Sequence, residues 1–386
     1  MEKIVIAMDS FKGSISSLEA GQAVAQGIQA QDSSAKVEVF EIADGGEGSL
    51  SAVQKGLSEK EIVTIQTVDL LSREIEVDYV LTTLHGVRTA IIESAKIIGL
   101  HLVEPTAEIV IQGTSYGVGV VLADALKRKA QQFIVFLGGS GTTDGGLGLW
   151  QALGVKLLDT AGNEFSPLGN PLLQPFSSLD FCGVLEMFHE KTLILASDVT
   201  SFYGGENGAA HIFAKQKGAT PEQIIQLDKA LLRVAKIVQV QTGVDLQMFQ
   251  GSGAAGGLGG GLAVLGGTNQ SGFEVIAQLI GLERAISTAT LVYTGEGSID
   301  RQSSFGKVPM KVAELAKKAQ VPVIALAGRR EETLGELEKM FAGVFSIQLQ
   351  ANTLKQALMP EVAKAGLCVV SAQTYKLFQQ GKEPPA

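Results

Sequence analysis

The sequence predicts an α/β protein, with a parallel-sheet domain assembled from both chain ends and a mixed α/β domain inserted between them. Three observations carry that expectation. The first residues run strand, polar loop, helix; the last third repeats that order; and the middle breaks it with two alternating apolar and polar runs that read as antiparallel. The chain has 386 residues, and at roughly 150 residues per domain two domains is the natural count. The split domain is placed at residues 1–71 plus 289–386 and the insert at 72–288.

Lys3 to Met8 is a short β-branched apolar run of the kind that lies inside a parallel sheet. The polar turn Asp9-Ser10-Phe11-Lys12-Gly13-Ser14 follows. The Ser16 and Glu19 spacing then forms a capping box, opening a helix with apolar positions Leu18, Ala23, Val24 and Ile28. A second such unit has a strand at Val37 to Ile42, the loop Ala43-Asp44-Gly45-Gly46-Glu47-Gly48 and a helix at Ser49 to Lys55. Glu74 to Leu81 and Val87 to Glu93, joined by Thr82 to Gly86, form the expected antiparallel pair. Strand Phe133 to Leu137 meets Gly138-Gly139-Ser140-Gly141, and strand Thr192 to Ala196 meets Ser197-Asp198. The last third gives strand Thr290 to Thr294, a loop to Lys307, helix Val308 to Ala319, strand Pro322 to Ala327, helix Glu331 to Phe341 and strand Val344 to Ile347. A long C-terminal helix starts near Thr353. The pattern Asp-Gly-Gly-x-Gly occurs at Asp44 to Gly48 and again at Asp144 to Gly148, each time after an expected strand.

Composition narrows the function classes. Apolar residues make up 45% and charged residues 18%, which is globular and excludes a disordered, collagen-like or disulfide-stapled chain. There are 46 Gly in 386 residues but only 10 Pro, well above the usual ~7% glycine, so the excess belongs to ordered tight turns. Forty acidic against 31 basic residues gives −9, with Lys and Arg scattered. No footprint for a nucleic acid or an anionic membrane is visible, so any phosphate binding has to be local. Cys182 and Cys368 have no metal-ligand spacing and are too few for a disulfide framework, which fits a reducing, cytoplasmic setting. The N-terminus lacks a signal-peptide pattern and reads as a mature start. The longest uncharged stretch, Leu246 to Phe273, holds ten glycines and suits a buried soluble segment better than a bilayer span.

Open α/β sheets collect ligands at the carboxyl ends of parallel strands, and the loops above sit at such ends. They hold the carboxylates Asp9, Asp44, Glu47, Asp144, Asp198, Glu296 and Asp300, the amines Lys12 and Lys307, hydroxyls and many glycines. That mixture suits an anionic substrate with a metal ion: backbone N–H groups approach phosphate oxygens, lysine offsets their charge, and carboxylates hold Mg²⁺ or accept a hydroxyl proton. Acyl transfer is disfavoured, because Ser140 does not sit in Gly-x-Ser-x-Gly and only four His exist. Each candidate also has a plainer reading. Asp9 and Asp44 also read as caps or turn closers, although having both after adjacent parallel strands favours function; Lys12 reads as a solvated side chain, Asp144 as an Asx turn, Lys307 as a helix cap, and one of Glu296 and Asp300 as structural. Gly251-Ser252-Gly253-Ala254-Ala255-Gly256 matches the dinucleotide fingerprint without a convincing strand before it, and reads as the start of a tightly packed helix whose N-terminus faces an anion. No P-loop and no protein-kinase catalytic loop is present.

In register, the motifs resemble the type I glycerate kinases, bacterial enzymes that phosphorylate D-glycerate with ATP. The resemblance spans nearly the whole chain. It rests on Asp9-Ser-Phe-Lys-Gly-Ser14, Ala43-Asp-Gly-Gly-Glu-Gly48, Gly138-Gly-Ser-Gly-Thr-Thr-Asp-Gly-Gly-Leu-Gly148, Gln216-Lys-Gly-Ala219, Gly253-Ala-Ala-Gly-Gly257, and Thr294-Gly-Glu-Gly-Ser-Ile-Asp300 with Gly306-Lys307. It implies a Rossmann-like domain made from both chain ends, a second α/β domain and an active site in the cleft between. The chain departs from the family pattern in having Ser201-Phe202-Tyr203 where Asn-Pro-Leu is usual, Ala214-Lys215 where Gly-Pro is usual, Thr143 for Asn and Met8 for Pro.

What the resemblance implies is transfer of the ATP γ-phosphoryl group to a glycerate hydroxyl, giving 2-phosphoglycerate, with ATP and Mg²⁺ required. Asp198 is the first candidate for the base and Asp44 the second. Lys12 and Lys307 neutralise phosphate or carboxylate, and Glu296 and Asp300 serve Mg²⁺ or nucleotide. Asp9, Ser10, Gly45, Gly46, Glu47, Gly139, Ser140, Asp144, Gly253 and Gly256 complete the expected substrate and nucleotide contacts. Expected partners are the small substrate and ATP, with no nucleic acid or membrane, for a monomer or homodimer. A kinase for another small hydroxy acid, a nucleotide- or sugar-acid-sensing regulator and a dinucleotide-dependent oxidoreductase are the alternatives.

Overall fold

A computed structural model describes residues 2–164, 169–300 and 307–381. In chain order its strands are β1 (Lys3–Met8), β2 (Lys36–Glu41), β3 (Glu61–Val68), β4 (Glu74–Leu84), β5 (Val87–Glu93), β6 (Gln132–Phe136), β7 (Lys156–Leu158), β8 (Ser178–Asp180), β9 (Thr192–Ala196), β10 (Thr268–Gln270), β11 (Leu291–Ile299), β12 (Val323–Arg330) and β13 (Gly343–Ser346). The chain divides into two compact units. The first comprises Met1–Asp44, Ser51–Leu57 and Phe273–Ala386, the second Gly45–Leu50 and Ser58–Gly272. The sequence placed the junctions at 71/72 and 288/289; this division assigns 58–71, with β3, to the insert and 273–288 to the split unit.

The first unit has one five-stranded sheet, ordered β13-β12-β11-β1-β2 and parallel throughout. Numbered within the unit this is the doubly wound order 2-1-3-4-5, whose direction of winding reverses between β1 and β11. Side chains alternate across the sheet. Ile4, Ile6 and Met8 of β1 and Leu291 and Tyr293 of β11 join the core under helices Ser17–Gln31 and Pro360–Gln380, while Val5, Ala7 and Val292 between them are equally buried on the opposite face. The predicted capping box of Ser16 and Glu19 is present.

Three elements of this unit differ from the sequence expectation, each for a visible reason. β11 does not end at Thr294. It continues through Ile299 because Glu296, Ser298 and Ile299 pair with Ala327, Arg329 and Arg330 of β12, which is itself longer than expected. The helix expected at Glu331 to Phe341 is reduced to a 3₁₀ stretch at Gly335–Met340, since Gly335 adopts φ 62, outside the helical region. The C-terminal helix is interrupted before Pro360, which lacks the N–H that a continuous helix from Thr353 requires and instead opens the helix Pro360–Gln380.

The second unit carries a six-stranded sheet, β10-β9-β6-β5-β4-β3, antiparallel from β3 to β5 and parallel from β5 to β10, with β7 and β8 as a separate pair. The antiparallel pair expected from the alternation is β4 and β5. Its connection is tighter than expected, a two-residue turn of His85 (φ 49) and Gly86 (φ 81), the left-handed pair that matches strand twist. Trp150 anchors the core, fully buried, its indole N–H donating to the Gly261 carbonyl at 2.8 Å. Among the described residues no helix is long and apolar enough to cross a membrane.

Helix Ser17–Gln31 lies so close to Pro360–Gln380 that a Cβ on Gly27 would collide with the Cys368 carbonyl and the Ser371 hydroxyl. Alanine is favoured over glycine in a helix interior by about 1 kcal/mol. A collision with backbone outweighs that gain, so Gly27→Ala is expected to lower the urea midpoint and Tm. An unchanged or raised midpoint would show that the two helices separate at negligible cost.

Candidate active site

In the first unit the candidate residues gather where the sheet order reverses. Asp9 follows β1, its N–H donating to the Gly295 carbonyl of β11 at 2.8 Å. Buried Phe11 and Ile15 pin the next turn through a reciprocal pair of backbone hydrogen bonds (2.9 and 3.1 Å), leaving Lys12 and Gly13 exposed between them. The sequence therefore fixes the loop by its two apolar residues and presents its charged one. Ser17 ties the strand ends together. Its hydroxyl donates to the Met8 carbonyl at 2.8 Å and accepts from the Ile42 N–H at 2.9 Å, which sets the ends of β1 and β2, and with them Asp9 and Asp44, side by side. Nothing in the sequence singled out this serine at the start of a helix.

The Asp9 carboxyl is pushed up to about 6, first by burial and then by the neighbouring Asp44 carboxylate; the Ser10 N–H at 2.7 Å and the Lys12 charge only partly oppose this. Glu296, expected in a loop, lies inside β11. Its buried carboxylate pairs with Lys307 at 3.2 Å, at the cap of helix Val308–Lys318. Gly297 brings β11 beneath the Phe11–Lys12 backbone. Asp300 closes this segment; Gly306 of the sequence motif lies outside the described residues. Among the described residues no group of three or more His, Cys, Asp and Glu is arranged to hold a metal. Mg²⁺, however, needs only one or two carboxylates when phosphate oxygens and water complete its shell, and the oxygen donors Glu296, within β11, and Asp300, directly after it, are of the type that lesser demand calls for.

In the second unit the loops lie at the carboxyl ends of β5, β6 and β9. Segment 45–50 is held there by Glu93, the last residue of β5, whose buried carboxylate accepts from the N–H of Gly48 (3.1 Å) and of Leu50 (2.8 Å). Burial pushes the Glu93 carboxyl up, against those two donors. Gly138 donates to the Gly45 carbonyl at 2.9 Å. Gly45 has φ 92 and lies close against the Ala196 carbonyl, a conformation and an approach that favour glycine. Gly45 and Gly46 are buried while Glu47 and Gly139 are exposed, and Asp198, after β9, is exposed too.

Asp144 is a correction to the expected ligand contacts. It is fully buried, and its two oxygens accept from the N–H (2.6 Å) and hydroxyl (2.7 Å) of Ser115 and from the N–H of Gly146 (3.0 Å) and Gly148 (3.2 Å). The Asx-turn reading of this residue is the one the structure supports. Gly253 and Gly256 have a structural reason to be glycine. A Cβ at Gly253 would strike the Phe202 carbonyl and one at Gly256 the Thr142 carbonyl, so these glycines admit backbone against backbone. The dinucleotide reading has no support in this geometry. The departure at Ser201-Phe202-Tyr203 is absorbed here as well: Tyr203 is fully buried over Gly260, and its hydroxyl donates to the Gly145 carbonyl at 2.6 Å.

Lys217 is the group sequence reasoning passed over, quoted only as part of a motif. It is 3% exposed, and its amine donates to Ser140 Oγ at 3.1 Å and to the Thr142 carbonyl at 2.5 Å. Burial pushes it down to about 7, with Asp144 opposing.

The glycerate kinase family profile matches residues 4–379. The chain belongs to the glycerate kinase family. It is 38% identical over 360 residues to a glycerate 2-kinase of Escherichia coli strain K12, covering 92% of this chain and 93% of that protein. It is 36% identical over 384 residues to a glycerate kinase of Halalkalibacterium halodurans, covering 96% and 99%. A crystal structure from Salmonella typhimurium LT2, assigned as glycerate kinase 2, superposes with a TM-score of 0.83 at 36% identity and 99% coverage of both chains. The protein is thus an enzyme, a kinase of this family with an α/β fold, as the motifs implied.

The raised Asp9 value has a sign that can be checked. Folding disfavours the charged form, so the contribution of Asp9 to stability is full below its unfolded value of about 4 and is lost as pH rises through about 6. Asp9→Asn is expected to be more stable than the parent at pH 7.5, by about 2 kcal/mol after allowance for partial exposure, and to match it near pH 4. A pH-independent difference in urea midpoints would contradict this.

Proposed function

We propose that this kinase transfers the γ-phosphoryl group of ATP to D-glycerate and forms 2-phosphoglycerate. The observation that carries the reading is the turn at the reversal point of the parallel sheet. There a lysine stands exposed between two buried anchors, beside a carboxyl that is poorly supplied with donors, at the place where doubly wound sheets bind ligands. The E. coli relative is named a glycerate 2-kinase and the H. halodurans relative a glycerate kinase, which supports the reading.

Transfer of this kind depends on positioning and charge neutralisation more than on covalent chemistry. Lys12 and Lys307 supply positive charge to phosphate or to the substrate carboxylate. Ser10, Gly45, Gly46, Glu47, Gly139 and Ser140 orient substrate and nucleotide through hydroxyl, N–H and carboxylate groups. Asp198 accepts the proton of the attacking hydroxyl, with Asp44 as second candidate. Glu296 and Asp300 would hold Mg²⁺, which when bound with ATP spreads the negative charge of the phosphates.

The decisive experiment measures ADP release from Mg-ATP with and without D-glycerate, followed by identification of the product. Glycerate-dependent ADP release with 2-phosphoglycerate as product is expected; stimulation by a different hydroxy acid alone would reassign the substrate. Asp198→Asn is expected to lower kcat by about 100-fold or more with the fold intact, and near-normal turnover in that variant would transfer the role to Asp44.

A further inference from the structure

Ser140 Oγ accepts a hydrogen bond from the Lys217 ammonium, and an ammonium has no lone pair with which to accept in return. The hydroxyl hydrogen of Ser140 therefore has no acceptor among the described residues. Three other buried serines spend theirs on backbone carbonyls, Ser17 on Met8 at 2.8 Å, Ser49 on Gly46 at 2.6 Å and Ser252 on Leu246 at 2.8 Å, and Ser115 spends its own on Asp144, whereas Ser94 and Ser201 are left without a protein partner. Two more hydroxyls of the same loop, Thr142 Oγ1 and Thr143 Oγ1, are buried without a protein partner. Of the three donors on Lys217, two are used, on Ser140 and Thr142. Buried polar groups in native proteins are normally matched, so a loop holding this many unspent donors is fitted to an acceptor from outside the chain. The loop follows β6 at its carboxyl end, where ligands bind.

We propose that Lys217 is a positioning residue: its ammonium holds Ser140 as an acceptor on one side, which commits the Ser140 hydroxyl hydrogen to an anionic oxygen of a bound reactant. This rests on the phosphoryl-transfer reading above and names a further residue for it. A carboxylate of the acceptor and a phosphate of the nucleotide present the same chemistry to that hydrogen. If Lys217 loses its proton, the neutral amine gains a lone pair, accepts from Ser140, and withdraws the donor from the ligand. Among the described residues the ionisable side chain whose charge acts on Lys217 is the buried Asp144. On its own segment His211 and Lys215 are exposed, and the partners of its ammonium, Ser140 and Thr142, present a hydroxyl and a backbone carbonyl.

The test measures kcat and KM for D-glycerate and for Mg-ATP between pH 6 and 8.5 in the parent enzyme, Ser140→Ala, Lys217→Met and the double variant. Each single variant is expected to raise one of the two KM values about tenfold with kcat changed less than about threefold, and the double variant to be no worse than either, the signature of two groups acting as one. The KM that rises identifies the ligand oxygen as carboxylate or phosphate. In the parent that KM is expected to climb as pH passes through 7, and in Ser140→Ala to stay flat. Additive single effects, unchanged KM values, or an undiminished pH inflection in Ser140→Ala would each overturn the proposal. If Lys217→Met does not fold, the pH comparison of parent and Ser140→Ala decides alone. If the parent releases no ADP with glycerate, the kinase reading of this substrate fails separately, and calorimetric titration of D-glycerate and ADP into the same two proteins across the pH range reads the same inflection.

Discussion

The second unit depends on how one buried carboxylate is satisfied. Asp144 has no solvent, and an ionised carboxyl in that setting survives only if donors surround it. Four do, and each belongs to a piece of the framework: the Ser115 N–H and hydroxyl at the start of helix Tyr116–Lys127, and the N–H groups of Gly146 and Gly148 at the start of helix Leu147–Leu153. Two helix starts thus converge on one side chain. Gly145 and Gly146 are thereby presented to Gly257 and Gly261: a Cβ on Gly257 would meet the Gly145 backbone at 2.6 Å, and a Cβ on Gly146 or Gly261 would meet the other's backbone at 2.9 or 3.0 Å. The glycine excess noted in the composition is explained in good part here, as close approach of backbone to backbone.

The same carboxylate acts on Lys217. A buried ammonium is as costly as a buried carboxylate, and each charge lowers the cost of the other without direct contact. Lys217 in turn fixes Ser140 and the Thr142 carbonyl, so the conformation of the loop after β6 is determined by electrostatics as much as by packing. Gly218 (φ 99) lets the chain turn directly behind the lysine, against Thr106. Together these features account for the whole span from Ser140 to Gly148.

Local signals in the sequence carried the fold well. β1, the Ser16 and Glu19 capping box, the alternation of β4 and β5, and the repeated strand–helix order in the last third are all written in neighbouring residues. The failures were non-local. Gly295 and Gly297 read as loop because their strand partner, β12, is distant in sequence, and the helix expected at Glu331 to Phe341 ignored what a left-handed Gly335 does to a helix. In the candidate site the exposed charged residues were legible from type and position. Ser17, Glu93 and Lys217 were not, since each acts by bonding a segment 25 or more residues away, for which no spacing rule exists.

The twice-repeated Asp-Gly-Gly-x-Gly makes the same point in one motif. Asp44 and Asp144 share neighbours in sequence and precede a helix start in both places, yet one is exposed and the other fully buried. What separates the Asp144 and Asp9 carboxyls is their supply of donors. Asp144 and Asp9 are both pushed up by burial, but Asp144 has four donors aimed at it, whereas Asp9 has the Ser10 N–H, a lysine acting through space, and a like-charged neighbour in Asp44. A fold has no reason of stability to keep a half-buried carboxyl beside another carboxylate, and relieving the first unit of it should make that unit stronger. Its position at the reversal point of a parallel sheet is in keeping with the ligand-binding role proposed for this turn.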